Sequence, residues 1–338
     1  MSTHSHNVTV GKTKYATTSA TVPDPNLTPY ATTASVATIL NPDPKVEGSM
    51  ANVLLRLAAV EKPYTPPAPP PSSVVATLGP STTSAQLLAK MADMTIDVIE
   101  LTAGTYSALT NPTYVDGIDR TSRPLTIRPA SGATVIIPGG TRPAFYFGLS
   151  SKVSYITMQG LTLSGFNFSA TDDGILWTGW VDHLTLNSMI VTNVLGATPY
   201  MSWALYISSD CKGHAGTDIT ANGWTVDASV SGARGIGGLA MGNGPLGPIN
   251  ITANGWTISH AKYAWYMHQD TSAERGSTNC HMDGWTITDC GYNSGVLCAA
   301  YYGYMDGTYS NMHATGCGCS LYQEGSPNMT DGGGNSWA

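Results

Sequence analysis

Charged side chains are scarce in this sequence of 338 residues. Only 11% of the residues are Asp, Glu, Lys or Arg, against about 25% in an average globular chain. The formal net charge is −7, and thirteen acidic but only four basic residues follow Lys152. An acidic surface repels phosphate backbones, so nucleic acid is not an expected partner. The lack of basic residues also argues against a lyase on anionic polysaccharides, because that chemistry needs cations beside the substrate carboxylate and a base.

Long apolar segments are absent as well. No stretch approaches the length of a membrane span. The opening segment, MSTHSHNVTVGKTKYATTSA, has no apolar region of the signal-peptide type. We therefore expect no membrane span and no secretory signal. His4 and His6 are interpreted as solvated side chains, and the sequence predicts no metal site and no cofactor.

Cysteine is missing from the first 210 residues, and none of the six that follow forms the Cys-x-x-Cys pair of zinc sites. Cys317 and Cys319 form only a Cys-x-Cys. We interpret the cysteines as buried thiols that pack as small apolar groups. Cys290 and Cys317 occupy equivalent positions of a repeat described below, yet side chains stacked in parallel seldom have a disulfide dihedral angle, so thiols are expected there too.

The sequence is rich in glycine, threonine, serine and asparagine, a mixture typical of strands and tight turns. Three regions are predicted. Residues 1–62 are polar, are broken by prolines, and form an extended arm with a short helix. Residues 63–73, PYTPPAPPPSS, form a polyproline II linker. Residues 74–338 form the main domain.

Two helices are predicted. The first, in SMANVLLRLAAVEK, has one apolar stripe, which needs a partner in an oligomer or in another protein; the stripe comprises Val53, Leu57 and Val60. The second opens the main domain at about residues 84–94 and precedes a strand at 95–101. Its apolar face comprises Leu87, Leu88 and Met91.

One motif recurs through the rest of the domain, as ITMQGLTL, LTLNSMIV, ITANGWTV, ITANGWTI, HMDGWTI and YSNMHA. The intervals between successive copies are 28, 35, 32, 29 and 27 residues, measured between the turn residues Gly160, Ser188, Gly223, Gly255, Gly284 and Asn311. Periods of about 20 to 50 residues indicate a solenoid or a propeller. A propeller blade needs four antiparallel strands and a longer unit, so a solenoid is favoured.

The alternation of side chains changes phase at each turn of the motif. Ile219 and Ala221 share one face, Asn-Gly intervenes, and Trp224 and Val226 then share a face. Two short strands thus meet at a bend with their apolar residues on the same side. Asn-Gly suits this bend because both residues tolerate positive φ. Stacking at strand spacing, about 4.8 Å, predicts an inner column of Leu161, Met189, Trp224, Trp256, Trp285 and Met312.

These features resemble the right-handed parallel β-helix, or pectin-lyase-like, superfamily. VIELTAGTYSAL resembles that family's first coil, in which a strand follows an N-terminal capping helix, and GGGNSW resembles an end-of-helix segment. The resemblance covers about residues 75–338. It implies an all-β fold, a right-handed parallel β-helix solenoid with an N-terminal capping helix. It implies no particular activity, because one solenoid hosts many chemistries.

A polar arm, an oligomerisation-type helix, a proline linker and a β-helix together resemble a bacteriophage tail spike or minor tail protein. That resemblance implies a virion component that attaches to other tail proteins through residues 1–62 and assembles as a homotrimer. It also implies a host-surface glycan as the partner, and a location in the virion or otherwise outside the cell.

Glycan-binding β-helices of the kind that this chain resembles use one long face of a sheet. After each GWT-type strand comes a further strand: ILWTG, ALYIS, GLAMG, AWYMH, VLCAA and SLYQE. We expect one residue of each to point inward, namely Leu176, Leu205, Leu239, Trp265, Leu297 and Leu321. The next residues then point outward, namely Trp177, Tyr206, Ala240, Tyr266, Cys298 and Tyr322.

Aromatic rings stack on the C–H faces of sugars, and tyrosine hydroxyls form hydrogen bonds. The predicted glycan-binding residues are therefore Trp177, Tyr206, Tyr266, His268 and Tyr322. In the alternative interpretation, this row packs against a neighbouring protomer or a loop.

Acidic residues near these strands offer a catalytic alternative, since glycoside hydrolysis needs two carboxylates roughly 5 to 10 Å apart. The candidates are Asp172, Asp173, Asp210, Asp270 and Glu324. TDDGI, around Asp172, is similar to the paired-aspartate segment of polygalacturonase-like hydrolases, and GHAG, around His214, is similar to their Gly-His-Gly. The Asn-Thr-Asp and Arg-x-Lys segments of those enzymes are missing. Aspartates that cap turns are the simpler interpretation.

The sequence therefore favours a tail spike-like or minor tail protein that binds a host-surface glycan without cleaving it. One alternative is a β-helix enzyme that degrades such a glycan, a glycoside hydrolase rather than a lyase. The other is a purely structural virion protein whose solenoid has no ligand.

Overall fold

The computed structural model divides into two compact units, Met1–Pro71 and Ser72–Ala338. It describes four short strands within the first 22 residues and, beyond them, residues 73–109, 112–168, 174–195, 202–208, 213–228, 236–241, 247–267, 278–290, 299–302, 306–317, 321–324 and 328–337. In the first unit, β1 (Ser2–His4) pairs antiparallel with β4 (Ala20–Val22). Between them, β2 (Thr9–Val10) pairs antiparallel with β3 (Thr13–Lys14). The helix predicted around Leu57 and the proline linker up to Ser72 lie outside the described residues.

The second unit begins with β5 (Val75–Leu78), helix α1 (Ser84–Ala92) and β6 (Val98–Leu101). The helix starts at Ser84 because Thr83 and Gln86 form a capping box, in which each side chain accepts the other residue's backbone N–H. Leu87 and Met91 are buried against the first strands, and Leu88 is partly buried. The predicted capping helix is confirmed. No helix in the described part of the chain is long and apolar enough to cross a membrane.

The helix ends two residues before the predicted position, because Asp93 starts a turn that Thr95 closes through two hydrogen bonds to Asp93 Oδ1. A buried arginine then joins this turn to the next coil. Arg120 Nη1 donates to the carbonyl of Asp93 at 2.9 Å, and Nη2 donates to the carbonyl of Ile96. Desolvation of this guanidinium lowers the pKa of Arg120. The helical cap is thereby fastened to the solenoid.

All the strands that follow are parallel and form three sheets that run the length of the solenoid. The ten-stranded sheet contains β5, β6, β9 (Leu125–Pro129), β12 (Val153–Gln159), β15 (Val181–Asn187), β18 (Thr217–Thr220), β21 (Ile249–Asn254), β24 (Thr278–Asp283), β27 (Asp306–Ser310) and β30 (Asn328–Asp331). The nine-stranded sheet contains β7 (Gly104–Thr105), β10 (Val135–Pro138), β13 (Thr162–Ser164), β16 (Ile190–Thr192), β19 (Thr225–Asp227), β22 (Thr257–Ser259), β25 (Thr286–Thr288), β28 (His313–Thr315) and β31 (Ser336–Trp337). The eight-stranded sheet contains β8 (Thr113–Val115), β11 (Phe145–Phe147), β14 (Gly174–Thr178), β17 (Ser202–Ile207), β20 (Ile236–Met241), β23 (Tyr263–Met267), β26 (Ala299–Tyr302) and β29 (Leu321–Glu324).

The strand β5 pairs with β6. From β6 onward each coil supplies one strand to each sheet, and each strand pairs with the strand three elements later in the chain. The fold is therefore the all-β parallel β-helix that the sequence predicts. The core is a single hydrophobic cluster that extends along the interior from the capping helix to the last described coils.

The predicted inner column is confirmed, since all six of its side chains are buried in that core. The rings of Trp256 and Trp285 stack with centroids 5.0 Å apart. Each indole N–H of the three column tryptophans donates to a main-chain carbonyl at 2.6 or 2.7 Å, with Leu186, Ala221 and Ala253 as acceptors. Buried indoles are stable here because their one polar group is satisfied.

The predicted bends are also confirmed, and all six aligned turn residues have positive φ. In the Asn-Gly pairs, positive φ falls on Gly223 and Gly255, not on the preceding asparagines. The asparagines serve another purpose, because the backbone N–H of Asn254 donates to Oδ1 of Asn222 at 2.9 Å. An amide side chain at the bend thus links one coil to the next.

The three cysteines in the described residues, Cys280, Cys290 and Cys317, are buried thiols. Cys290 and Cys317 lie one coil apart as predicted, and the backbone N–H of Cys290 donates to Sγ of Cys317 at 3.4 Å. Cys319 lies outside the described residues.

Candidate functional site

The outer face of the eight-stranded sheet carries a column of residues in register, which we call the aromatic column. Strand pairing places the following residues at equivalent positions of successive coils: Tyr114, Tyr146, Trp177, Tyr206, Ala240, Tyr266, Ala300 and Tyr322. The predicted order is confirmed from Trp177 to Tyr266. The prediction is wrong for one coil. There, Ala300 rather than Cys298 pairs with Tyr266, and Ala299 rather than Leu297 pairs with Trp265.

The aromatic column lies outside the solenoid core. Leu176 and Leu205, the residues before Trp177 and Tyr206, belong to the core, whereas Tyr146 and Trp177 form a separate cluster. Leu149, Trp180 and Tyr206 pack against this second cluster. The outward direction of Trp177 and Tyr206 is therefore as predicted.

Neighbouring rings in the column contact one another. Tyr114 stacks on Tyr146 with centroids 5.3 Å apart and an interplanar angle of 6°. Tyr146 then meets Trp177 edge-to-face, with centroids 5.2 Å apart and an angle of 63°. Such pairs stabilise by about 0.5–1.5 kcal/mol beyond the area that they bury. The column is thus an ordered surface of packed rings.

Exposure differs along the column and separates contact residues from supporting ones. Tyr114 is 45% exposed, and Tyr206 and Tyr266 are half-buried. Trp177 is only 9% exposed and Tyr146 only 7%. Trp177, predicted as a glycan-binding residue, therefore offers little surface, and its indole mainly supports its neighbours.

A second aromatic group lies on the same face, around β17 to β23. Trp203 stacks on Tyr266 with centroids 5.5 Å apart and on Tyr263 with centroids 6.3 Å apart. Lys262 Nζ lies 5.6 Å from the centroid of the Tyr263 ring, a distance at which a cation is attracted to the ring face.

His214, which resembles the histidine of a hydrolase motif, stacks on Trp180, with centroids 3.5 Å apart and an interplanar angle of 9°. Because Trp180 itself packs against the cluster of Tyr146 and Trp177, His214 extends the aromatic surface at the turn between the eight-stranded and ten-stranded sheets.

A charged group lies at the start of β15 and β18, where the ten-stranded sheet begins. Lys152 Nζ donates to Asp182 Oδ2 at 2.8 Å, and His183 Nδ1 lies 2.6 Å from Asp182 Oδ1 and 3.8 Å from Asp218 Oδ2. Burial would raise the pKa of Asp182, but its hydrogen bonds to Lys152 and His183 hold that pKa below its usual value. The Tyr155 ring stacks on the imidazole at 4.3 Å.

Asp182, His183 and Asp218 each point one potential metal-ligand atom to within 4.8 Å of the others. Carboxylate and imidazole ligands suit zinc. Lys152 and Thr217 donate to the two oxygens of Asp182, which ties this carboxylate into a hydrogen-bonded, ion-paired network.

Most predicted catalytic residues lie outside the described part of the chain, namely Asp172, Asp173, Asp210 and Asp270, as does His268. The backbones of Tyr322 and Glu324 belong to β29, where Tyr322 pairs with Ala300 and Glu324 with Tyr302. The acid–base assignment stays a prediction.

Sequence reasoning missed Tyr114, Tyr146 and Trp203. The first two precede the first recognised copy of the bend motif, yet TYV and FYF, like LWT and LYI, place one aromatic residue between two uncharged residues of a short strand. That pattern was the signal that could have found them. Trp203 gave no such signal, because its position two residues before Leu205 predicts an inward side chain.

No protein-family model matches the chain, and no curated protein matches it. Among solved structures, a catalytic-domain variant of a GH87 alpha-1,3-glucanase in complex with tetrasaccharides is similar to 80% of this chain over 70% of its own length, with 11% identity and a TM-score of 0.22. The catalytic domain of a GH87 alpha-1,3-glucanase in complex with nigerose covers the same shares, with 10% identity and a TM-score of 0.20. At these values the likeness carries no conclusion about ligand or activity.

Proposed function

We propose that this chain is a carbohydrate-binding β-helix that contacts a host-surface glycan through the outer face of its eight-stranded sheet. The observation that carries the proposal is the register of the aromatic column, in which six aromatic residues occupy equivalent positions of the eight-stranded sheet. The contact residues are those with exposed ring surface, Tyr114, Tyr206 and Tyr266.

The chemistry of this face suits a neutral glycan. Pyranose rings present apolar C–H faces that stack on aromatic rings, and tyrosine hydroxyls can bond the sugar hydroxyls. No position of the column carries a charged side chain. Successive members are one strand spacing apart, about 4.8 Å, so the column runs along the solenoid axis and offers several consecutive contacts to a linear chain.

The proposal extends to a bacteriophage particle, in which the protein is a tail spike-like or minor tail protein. Residues 1–62 attach it to other tail proteins, and it assembles as a homotrimer through the stripe of Val53, Leu57 and Val60. The support is the order of polar arm, short amphipathic helix, proline linker and β-helix along the sequence. A monomeric mass by light scattering of the full chain would contradict the trimer.

Binding of the purified full chain to a panel of bacterial surface polysaccharides tests the glycan proposal. Tyr114→Ala and Tyr206→Ala should each weaken binding about tenfold, corresponding to a stacking contribution of roughly 1–1.5 kcal/mol. Tyr155→Ala is the matched control, because Tyr155 is also a half-buried surface tyrosine but lies on the ten-stranded sheet. Equal losses in all three variants would overturn the assignment of the face.

The same binding assay, extended to product analysis, distinguishes a glycan-binding protein from a glycan-degrading enzyme. Release of reducing ends from a bound polysaccharide would show the glycoside hydrolase alternative, and single Asn or Gln substitutions at the five predicted acids would then locate the catalytic pair. Failure to bind any polysaccharide in the panel would favour a structural solenoid instead.

A further inference from the structure

The aromatic column is interrupted at β20, where its position is held by an alanine, which has no ring. Ala240 occupies the column position between Tyr206 and Tyr266, and Gly237 lies three residues before it on the same strand. The backbones of Tyr206 and Tyr266 are therefore two strand spacings apart, about 10 Å, with no aromatic side chain at the column position between them.

The indole of Trp203 crosses β20 at Gly237. Strand pairing places Trp203 beside Gly237 and Gly237 beside Tyr263. A Cβ at Gly237 would overlap Cε3 and Cζ3 of Trp203, so the indole lies directly against the glycine backbone. It reaches across β20 to Tyr266, where the two rings stack at an angle of 20°.

Burial shows that Trp203 acts beneath the surface and not at it. Trp203 is only 2% exposed, yet it does not belong to the solenoid core cluster. Tyr266, which it supports, is half-buried. An indole that offers no surface to a ligand can still restrict the rotamer of the ring above it, which lowers the entropy cost of binding.

We propose that Trp203 is a positioning residue for the glycan site, which holds the Tyr266 ring in register with Tyr206 across the side-chain gap of β20. The glycine at position 237 is required because it admits the indole. This inference rests on the proposed function and specifies how one contact residue of that site is held.

A double-mutant cycle on polysaccharide binding tests this role. Trp203→Ala should weaken binding about tenfold in the wild-type background and should have no further effect in a Tyr266→Ala background, because Trp203 acts only through Tyr266. Trp203→Phe should retain most of the affinity, since a phenyl ring can still stack on Tyr266. A tenfold loss in both backgrounds would overturn the proposal.

The Gly237→Ala variant provides an independent test of the role of Trp203. It should displace the indole and weaken binding about as much as Trp203→Ala, whereas Gly79→Ala, where a Cβ meets only Thr102 Oγ1 at 3.7 Å, should leave affinity unchanged. Thermal denaturation of each variant reports whether the fold survives. Unchanged affinity in Gly237→Ala would contradict the proposal.

Ligand-free crystal structures separate this inference from the proposed function. If the wild-type protein binds no polysaccharide, the proposed function fails, and the position of the Tyr266 ring still decides the role of Trp203. We expect a single Tyr266 rotamer in the wild-type protein and an altered or mixed rotamer in Trp203→Ala. The same single rotamer in both proteins would overturn the inference.

Discussion

The indole rings of Trp224 and Trp256 lie parallel, with centroids 4.8 Å apart and an interplanar angle of 1°. This separation matches the spacing of adjacent strands, about 4.8 Å, so each ring rests on the equivalent ring of the next coil. The indole N–H of each donates to a carbonyl of an earlier coil. One residue type thus supplies both the packing and the polar link between coils.

The first prediction concerns this stack. Trp256→Ala should reduce the free energy of unfolding by about 3–5 kcal/mol, because it opens a cavity between two stacked indoles and leaves the Ala221 carbonyl without its indole donor. Urea denaturation measures the loss. Trp337→Ala is the control, since Trp337 is a half-buried tryptophan of β31 that pairs with Ala314 and lies outside the inner column. An equal loss in both variants would contradict the stacking argument.

The second prediction concerns the bends. Gly255 has φ of 65°, and a Cβ there would meet nothing nearer than the Gly223 nitrogen at 4.0 Å. Gly255→Ala should therefore cost only the conformational strain, about 1–2 kcal/mol. Gly255→Asn should cost less, because Asn311 has positive φ at the equivalent bend and asparagine tolerates this region. If thermal unfolding shows that the Gly255→Ala protein is more stable than the Gly255→Asn protein, this explanation of the bend is wrong.

The third prediction concerns the helical cap. Arg120→Met should lower the free energy of unfolding by about 1–3 kcal/mol, because the Ile96 carbonyl loses its guanidinium donor and the Asp93 carbonyl keeps only the backbone N–H of Ile96. Arg128→Met is the matched control. The Arg128 side chain is 43% exposed and its ion pair with Glu100 spans 3.0 Å, so its loss should cost less than about 1 kcal/mol. Chemical denaturation compares the two; an equal or larger loss in Arg128→Met would refute the role of Arg120.

The fourth prediction concerns acid. Hydrogen bonds from Ser154 and Thr121 lower the pKa of Asp119 from 3.8 to about 2. A folded-state pKa below the unfolded value stabilises the fold above about pH 4, and this contribution is lost as pH falls through about 2. Asp119→Asn should therefore be less stable than wild type at pH 7, and the difference should narrow between about pH 4 and 2.

Thermal unfolding of both proteins across that pH range measures the narrowing. Ser154→Ala removes one hydrogen-bond donor from the same carboxylate. The stability difference between this variant and wild type should also become smaller as the pH falls. A stability difference that stays constant with pH would show that the carboxylate charge plays no part.

The interior of this protein could be predicted from sequence because its contacts repeat with the chain. Ile219, Ala221, Trp224 and Val226 alternate around one bend, and the same phase change recurs in each copy, so burial follows from local pattern. The capping helix could be predicted for a similar reason, since Leu87 and Met91 form one apolar stripe beside a recognisable N-cap at Thr83.

The outer surface could be predicted only in part, because coils differ in length between their strands. The aromatic column was predicted correctly from Trp177 to Tyr266. In the next coil the prediction is wrong by two residues, because Ala300 takes the position expected for Cys298. A shift of two residues along a strand keeps the side chains on the same face, so the alternation of the sequence does not reveal it. The pairing of neighbouring strands in the structure does reveal it.

The sequence by itself determined the solenoid: its period, its bends at glycine, serine or asparagine, and the side chains that stack inside. These follow from period-2 alternation and backbone φ, which depend on neighbours in the chain. Only the tertiary structure decided which outward rings meet, that Trp203 crosses over Gly237 to Tyr266, and that Asp182, His183 and Asp218 converge. Those contacts join residues one or two coils apart, and their geometry depends on register. Register is set by cooperative packing of whole coils and not by any local motif.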